Sequence, residues 1–335
     1  MDAPLWTETH APDLGDLPQS SVRDRLDRAV DEPMNLVVQG PPGAGKTAAV
    51  RALADTAHDD ANDLVEINVA DFFDRTKKEI RQDPRFEQFL TGRSRMAKRD
   101  MINRVLKESA SYAPVSGEYK TIVLDNAEAI REDFQQALRR VMEQHHRTTQ
   151  FVLVTRQPST LIAPIRSRCF PVPVRAPTAD EIERVLSGIL DAEDVEYDDD
   201  GLEFVAGYAD GDLRRAILGA QTTAVEADEV TMTTVHETLK DVGHDDQLAA
   251  VWEAAEAGEV TDARKTVGTL LDDEGYDGQS LLVGLLDAAR KRYDGETLAR
   301  LHHLAGDIDH DLVTGTDDRL HLTRLVATWA QGAEA

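Results

Sequence analysis

The run Gly40-Pro41-Pro42-Gly43-Ala44-Gly45-Lys46-Thr47 has the residue types and the spacing to grip a chain of phosphates. Its glycines let successive backbone N–H groups turn inward around anionic oxygens, and a helix opening directly behind them adds the positive end of its dipole. Lys46 can then reach the β and γ phosphates of a nucleoside triphosphate, and the Thr47 hydroxyl can ligate Mg2+. A chance match in the right strand-loop-helix setting has a probability of roughly 1% or less. ATP with Mg2+ is therefore the expected cofactor. Asp125, closing the apolar run "KTIVLD", offers the carboxylate that such a metal site needs, although an Asp there could also cap the next helix.

These groups meet only if a sheet brings them together. Short runs rich in Val, Ile and Leu occur at Asn35 ("NLVVQ"), Leu64 ("LVEIN"), Lys120 ("KTIVLD"), Gln150 ("QFVLVT") and Cys169 ("CFPVPV"). Helical patterns such as Lys46 to Ala57 and Arg131 to Glu143 separate most of them, which predicts an α/β fold: a parallel sheet with helices on both faces and ligands at the carboxyl ends of its strands. Pro173 and Pro177 then break the pattern, Thr178 is an expected N-cap, and no strand pattern returns. Everything beyond reads as helix, with a weak break at "DVGHDD" near residue 240. The acidic runs at 197–201 and 271–278 lack the ligand spacing of a calcium loop and read as solvated turns.

Composition limits the partners. There are 63 Asp and Glu against 37 Lys and Arg, a formal net charge of -26, so anionic partners are repelled on average and nucleic-acid binding has to be local. Acidic surfaces poor in lysine suit a salty cytoplasm, which predicts a halophilic source. The single cysteine, Cys169, rules out an internal disulfide and fits a reducing, cytoplasmic location. No targeting segment and no 18-residue apolar stretch is evident.

The stretches "GPPGAGKT", "VLDNAEAI", "QQALRRVMEQHHRTTQFVL", "IAPIRSRC" and "GDLRRAI" occur in the order and approximate spacing of the small subunits of replication factor C. From about Leu5 to Leu239 the chain resembles that family, and the remainder looks like its collar. The resemblance implies an AAA+ clamp loader, which opens a sliding clamp and places it on primed DNA. It implies an AAA+ nucleotide-binding α/β domain at 1–174, a helical lid at 175–240, and an all-α collar at 241–335. The collar would assemble a five-subunit ring with large and small partner subunits. The further partners would be a PCNA-like sliding clamp and primer-template DNA, with no membrane.

By the same resemblance Arg168, within Ser167-Arg168-Cys169, is an arginine finger that reaches in trans into ATP held by a neighbouring subunit. Arg214, within Gly211-Asp212-Leu213-Arg214, is a second sensor touching the γ phosphate. An ordinary surface salt bridge for Arg168 and a helix-surface position for Arg214 are the plainer alternatives.

The chain departs from the family pattern at the chemistry itself. Active members carry Glu where this chain has Asn126. An amide can orient the attacking water but cannot deprotonate it, and losing a general base typically costs about 10²- to 10⁴-fold. Glu128 is a possible substitute, but the first turn of the next helix, where a carboxylate favours the dipole, is the stronger expectation. The first sensor of the family is an Asn at the position of Arg156, and Thr155 could serve in part. His10 and Ala11, in "WTETHAP", stand where active subunits often show Tyr and Arg. The prediction is a subunit that binds ATP, hydrolyses it poorly, and contributes chemistry across an interface. The competing class is a self-sufficient AAA+ motor, a branch-migration helicase or an initiator, in which Asn126 would disable every site.

From Asp71 to Ser116 the chain is longer than the family's compact form and unusually basic. Lys77, Lys78 and Arg81 are candidate contacts to DNA phosphates, weighed against exposed helices whose basic residues pair with acidic ones at i,i+4. His145-His146 reads as a solvated helix end, and Trp6, Trp252 and Trp329 as packing residues.

Overall fold

Alternation along single strands divides the sheet between two cores. Strands β1 (Leu36–Gln39), β2 (Leu64–Asn68), β3 (Lys120–Asp125), β4 (Thr149–Thr155) and β5 (Phe170–Pro173) are all parallel, in the order β2-β3-β4-β1-β5. Ile122, Leu124, Phe151 and Leu153 point to one face, where Val105 and Leu138 meet them from helices α3 (Lys98–Ser111) and α4 (Glu132–His145). Val123, Val152 and Val154 point to the other, against Leu26 and Leu53 of α1 (Ser20–Asp31) and α2 (Lys46–Ala57). A period of two with both sides apolar is what a doubly covered sheet requires. The computed structural model describes residues 4–82, 97–242, 245–272, 274, 276–315 and 317–333.

Beyond the sheet, Thr178 caps α5 (Ala179–Ala192) in a reciprocal box: its hydroxyl accepts from the Glu181 N–H, and the Glu181 carboxylate accepts from the Thr178 N–H. Helices α6 (Asp199–Ala209) and α7 (Leu213–Ala227) follow. The expectation that no strand returns needs correcting. Two short strands, β6 (Glu196–Tyr197) and β7 (Glu229–Val230), form a parallel pair whose two-residue length leaves no readable periodicity. Next comes α8 (Met232–Val242), within which the chain divides into two compact units, one running to Val235 and the other starting at His236.

The second unit is helical throughout its described residues: α9 (Asp245–Glu256), α10 (Val260–Asp272), α11 (Gly278–Arg292), α12 (Gly295–Thr314) and α13 (Asp318–Ala333). Trp252, Leu285, Leu301 and Trp329 lie in its core. The Trp252 indole N–H is satisfied by the Leu285 carbonyl at 2.8 Å and that of Trp329 by the Tyr293 hydroxyl at 3.2 Å, so neither aromatic buries an unpaired donor. Among the described residues no helix is long and apolar enough to cross a membrane.

Candidate functional site

The glycine-rich loop leaves β1 with no space to spare. A Cβ on Gly40 would lie 1.9 Å from the Val174 carbonyl oxygen, and the Gly40 N–H donates to the Thr155 carbonyl at 3.3 Å. Gly43 and Gly45 take φ of 64° and 87°, left-handed conformations that glycine adopts without steric cost. Buried Gln19 pins the loop from below, its amide donating to the carbonyls of Ala44 at 3.3 Å and Arg175 at 3.1 Å. Gly45 then occupies the N-cap of α2, so the free N–H groups of its first turn open onto the loop.

Lys46 is 9% exposed and its ammonium donates to the Pro41 carbonyl at 2.5 Å. Burial pulls its pKa below the usual lysine value, and the nearby Arg156 charge adds to that. Asp125, Glu128 and Asp212 oppose the shift. The Thr47 hydroxyl donates to Asp125 Oδ2 at 2.9 Å, so the two oxygens singled out for a metal lie side by side although 78 residues separate them. Both are hard oxygen donors on rigid elements, a set that suits Mg2+.

Asn126 follows in left-handed backbone, φ 52° and ψ 46°, a region in which Asn is enriched among non-glycine residues. Its amide donates to Asn68 Oδ1 at 3.1 Å at the end of β2, and Asn68 also caps the short helix Val69–Asp74. Neither the polarity of Asn126 nor its partner can take a proton from water.

Glu128 departs from expectation. It sits in a separate 3-10 turn, Ala127–Ala129, rather than in the first turn of α4, and its carboxylate is fully engaged. Oε2 accepts from the Thr155 hydroxyl at 2.7 Å and from the Arg156 N–H at 3.3 Å, and Oε1 accepts from Arg156 Nε at 2.9 Å. Burial alone would raise its pKa, but the hydrogen bonds from Thr155 and Arg156 outweigh burial and hold it below the usual carboxylate range. A carboxylate so stabilised is a poor base. Thr155, 1% exposed, has its hydroxyl proton committed to the same group.

Arg168 lies between the one-turn helix Ala163–Arg166 and β5, at the amino end of that strand, whereas the loop to Lys46 leaves the carboxyl end of the parallel neighbour β1. One terminal nitrogen donates to the Pro164 carbonyl at 2.7 Å, and the other pairs with Glu143 at 2.6 Å near the end of α4, with both side chains partly exposed. Beside it, burial pushes the Cys169 thiol up to about 12, which leaves that sulfur unreactive.

Arg214 is exposed in the first turn of α7. Ahead of it, Asp212 caps the helix by accepting from the Arg215 N–H at 2.9 Å, while the Leu213 N–H donates to the Gly43 carbonyl at 3.1 Å. A Cβ on Gly43 would lie 1.9 Å from the Asp212 carboxylate, so the start of α7 rests directly on the glycine-rich loop. The neighbouring Arg215 guanidinium stacks on Tyr208, 3.9 Å from the ring centroid. His10 pairs with Glu193 at 2.5 Å, and the Trp6 N–H donates to Gln221 of α7 at 3.0 Å, so the N-terminal segment packs on this helical region.

Of the candidate DNA contacts, Lys77 and Lys78 are exposed on the short helix Lys77–Gln82, whose start is closed by reciprocal bonds between Thr76 and Glu79. The side chain of Arg81 lies outside the described residues, as do residues 83–96 with Arg85, Arg93 and Arg95. On α3 an i,i+4 pair does form, Arg104 to Glu108 at 3.0 Å.

Sequence reasoning passed over Gln19, Asn68 and Asp212. Asp212 carried a usable signal, since an Asp directly before an amphipathic run is a helix N-cap. Gln19 carried none, because its partners are carbonyls 25 and 156 residues away.

Comparison with known proteins is consistent along the chain. The family model "DNA polymerase III, delta subunit" matches residues 31–178, and "Replication factor C C-terminal domain" matches residues 243–328. A replication factor C small subunit of Staphylothermus marinus is 30% identical over 97% of this chain and 94% of the relative. That of Haloarcula marismortui is 28% identical over 98% of this chain and 95% of the relative. Among solved structures, the Thermotoga maritima RuvB Holliday junction branch migration motor aligns with a TM-score of 0.50 at 16% identity, covering 79% of this chain and 87% of that one. At that identity the likeness concerns the fold.

Proposed function

Since the chain belongs to the replication factor C small-subunit family, we propose that it is a clamp-loader subunit that binds ATP, splits it poorly at its own site, and lends Arg168 to the ATP of an adjoining subunit. The observation that carries this reading is the contrast within one site. Thr47 and Asp125 are paired for a metal, whereas Asn126, one residue on, has no basic group and is tied to Asn68.

In this reading the backbone N–H groups of residues 40–47 and the Lys46 ammonium bind the phosphate chain, and Thr47 and Asp125 hold Mg2+. Bound Mg2+ would neutralise charge on the phosphate oxygens. Asn126 can orient a water but leaves its proton in place, and Glu128, spent on Thr155 and Arg156, does not replace the missing base. Arg214 reports the nucleotide through α7, whose start already touches Gly43. The half-exposed Arg168 guanidinium is available to a partner once it leaves Glu143.

In this reading the first unit would serve as a nucleotide-binding domain with its lid, and the second as a collar that joins large and small subunits into a ring. Lys77 and Lys78 are offered as contacts to primer-template DNA, and the acidic surface suits a salt-rich cytoplasm. A self-sufficient motor is disfavoured because identical subunits would all carry Asn126.

Reconstitution tests the assignment: the chain, the subunits that co-purify with it, a sliding clamp and primed DNA. ATP-dependent placement of the clamp should require this chain. Equal loading without it would remove the reading.

A further inference from the structure

We infer that Arg156 is a second cation for the terminal phosphate of the nucleotide, held ready by Glu128, and that it biases the site toward a triphosphate over a diphosphate. This deepens the proposed ATP site and rests on it.

The strand order sets the position. β4 lies between β1, which feeds the phosphate loop, and β3, which ends in Asp125. The carboxyl end of β4 is therefore the wall between the loop and the metal-binding oxygens, and the Gly40 N–H to Thr155 carbonyl bond fixes that wall against the loop. Arg156 is the next residue.

Its guanidinium is anchored on one side only. Glu128 takes Nε at 2.9 Å and the backbone N–H at 3.3 Å, while the two terminal nitrogens have no partner among the described residues. The side chain is 55% exposed. A planar fork gripped at Nε and open at both terminal nitrogens is suited to two parallel bonds with a phosphate. Glu128 is itself locked by the Thr155 hydroxyl at 2.7 Å, so the anchor is rigid where a surface pair of two long side chains would not be.

Charge placement agrees with the geometry. Arg156 follows β4 and Lys46 follows the loop that leaves the adjacent β1, two cations whose mutual repulsion a polyanion between them would reverse. With neutral Asn126 on one side and Arg156 on the other, the site has gained attraction for phosphate where a water-activating carboxylate would repel it. The arrangement favours holding a triphosphate over splitting it.

The test is calorimetric titration of the full chain with ATP and, separately, ADP in the presence of Mg2+. Arg156→Gln should weaken ATP binding by about tenfold or more, the size of one charged hydrogen-bonding contact, while ADP affinity changes less than about twofold. Retained ADP binding also reports that the variant is folded. Arg156→Lys, which keeps the charge, should retain part of the preference for ATP. Equal losses for both nucleotides, no loss for either, or a lysine variant as deficient as the glutamine one would overturn the inference. An unaltered chain that binds no ATP would overturn the proposed site, and this inference with it.

Discussion

The Asn126 amide donates to Asn68 Oδ1 across 3.1 Å, joining the carboxyl ends of β3 and β2 beside Asp125. Asn126→Glu supplies a base there, but sets a longer side chain in left-handed backbone and removes the donor to Asn68. Turnover by the assembled complex should rise, by up to about 10²- to 10⁴-fold at this site. Stability should fall by about 1–2 kcal/mol. Steady-state phosphate release and denaturant unfolding read the two effects separately.

Arg168 makes a half-exposed pair with Glu143 and bonds to the Pro164 carbonyl and, at 3.4 Å, the Ser167 hydroxyl, so its loss should barely affect the chain alone. Arg168→Ala should change stability by less than about 1 kcal/mol. ATP binding by the isolated chain should be unchanged, whereas turnover in the complex should drop by about 10³- to 10⁵-fold at the site the finger serves. A drop in binding by the isolated chain would place Arg168 in its own site instead.

Glu128 predicts a pH signature. Its carboxyl is held below the ordinary value of 4.5, so the folded chain takes up that proton less readily than the unfolded one. The stabilisation is present in full above that value and is lost as pH falls through the folded one. Glu128→Gln should therefore cost about 1–3 kcal/mol at neutral pH, with the deficit shrinking below about pH 4.5. Unfolding curves of both proteins at pH 7 and pH 4 measure it.

Gly43 carries two constraints at once, a positive φ and contact with Asp212. Gly43→Ala should cost about 1–3 kcal/mol and push the start of α7 off the phosphate loop. ATP affinity should fall with it, and proteolysis within residues 175–231 should speed up when no nucleotide is present.

In the C-terminal unit, Trp252 is fully buried and donates to the Leu285 carbonyl, so Trp252→Ala should cost about 3–5 kcal/mol. Loss of that unit's helical signal at lower denaturant concentration, with ATP binding by the other unit retained, is the expected result.

What could be read from the sequence was local. The glycine-rich loop, the strand ending at Asp125 and the Thr178 N-cap each lie within a few residues, and their physics acts over that range. The parallel α/β sheet covered on both faces followed from the alternation of apolar runs with helical patterns, and the AAA+ expectation from the resemblance to replication factor C small subunits. The state of the site was not legible, because it rests on distant partners: Glu128 with Thr155 and Arg156, Arg168 with Glu143, Gly43 with Asp212. Glu128 was expected to serve a helix dipole because only its sequence neighbours were visible. The β6–β7 pair was missed because two residues carry no period.

The central claim is tested most directly by identifying the nucleotide that the purified chain still holds after hours with ATP and Mg2+. Chromatography of the released nucleotide should find it largely as ATP, with ADP appearing once Asn126 is changed to Glu. Rapid accumulation of ADP by the unaltered chain alone would contradict the account.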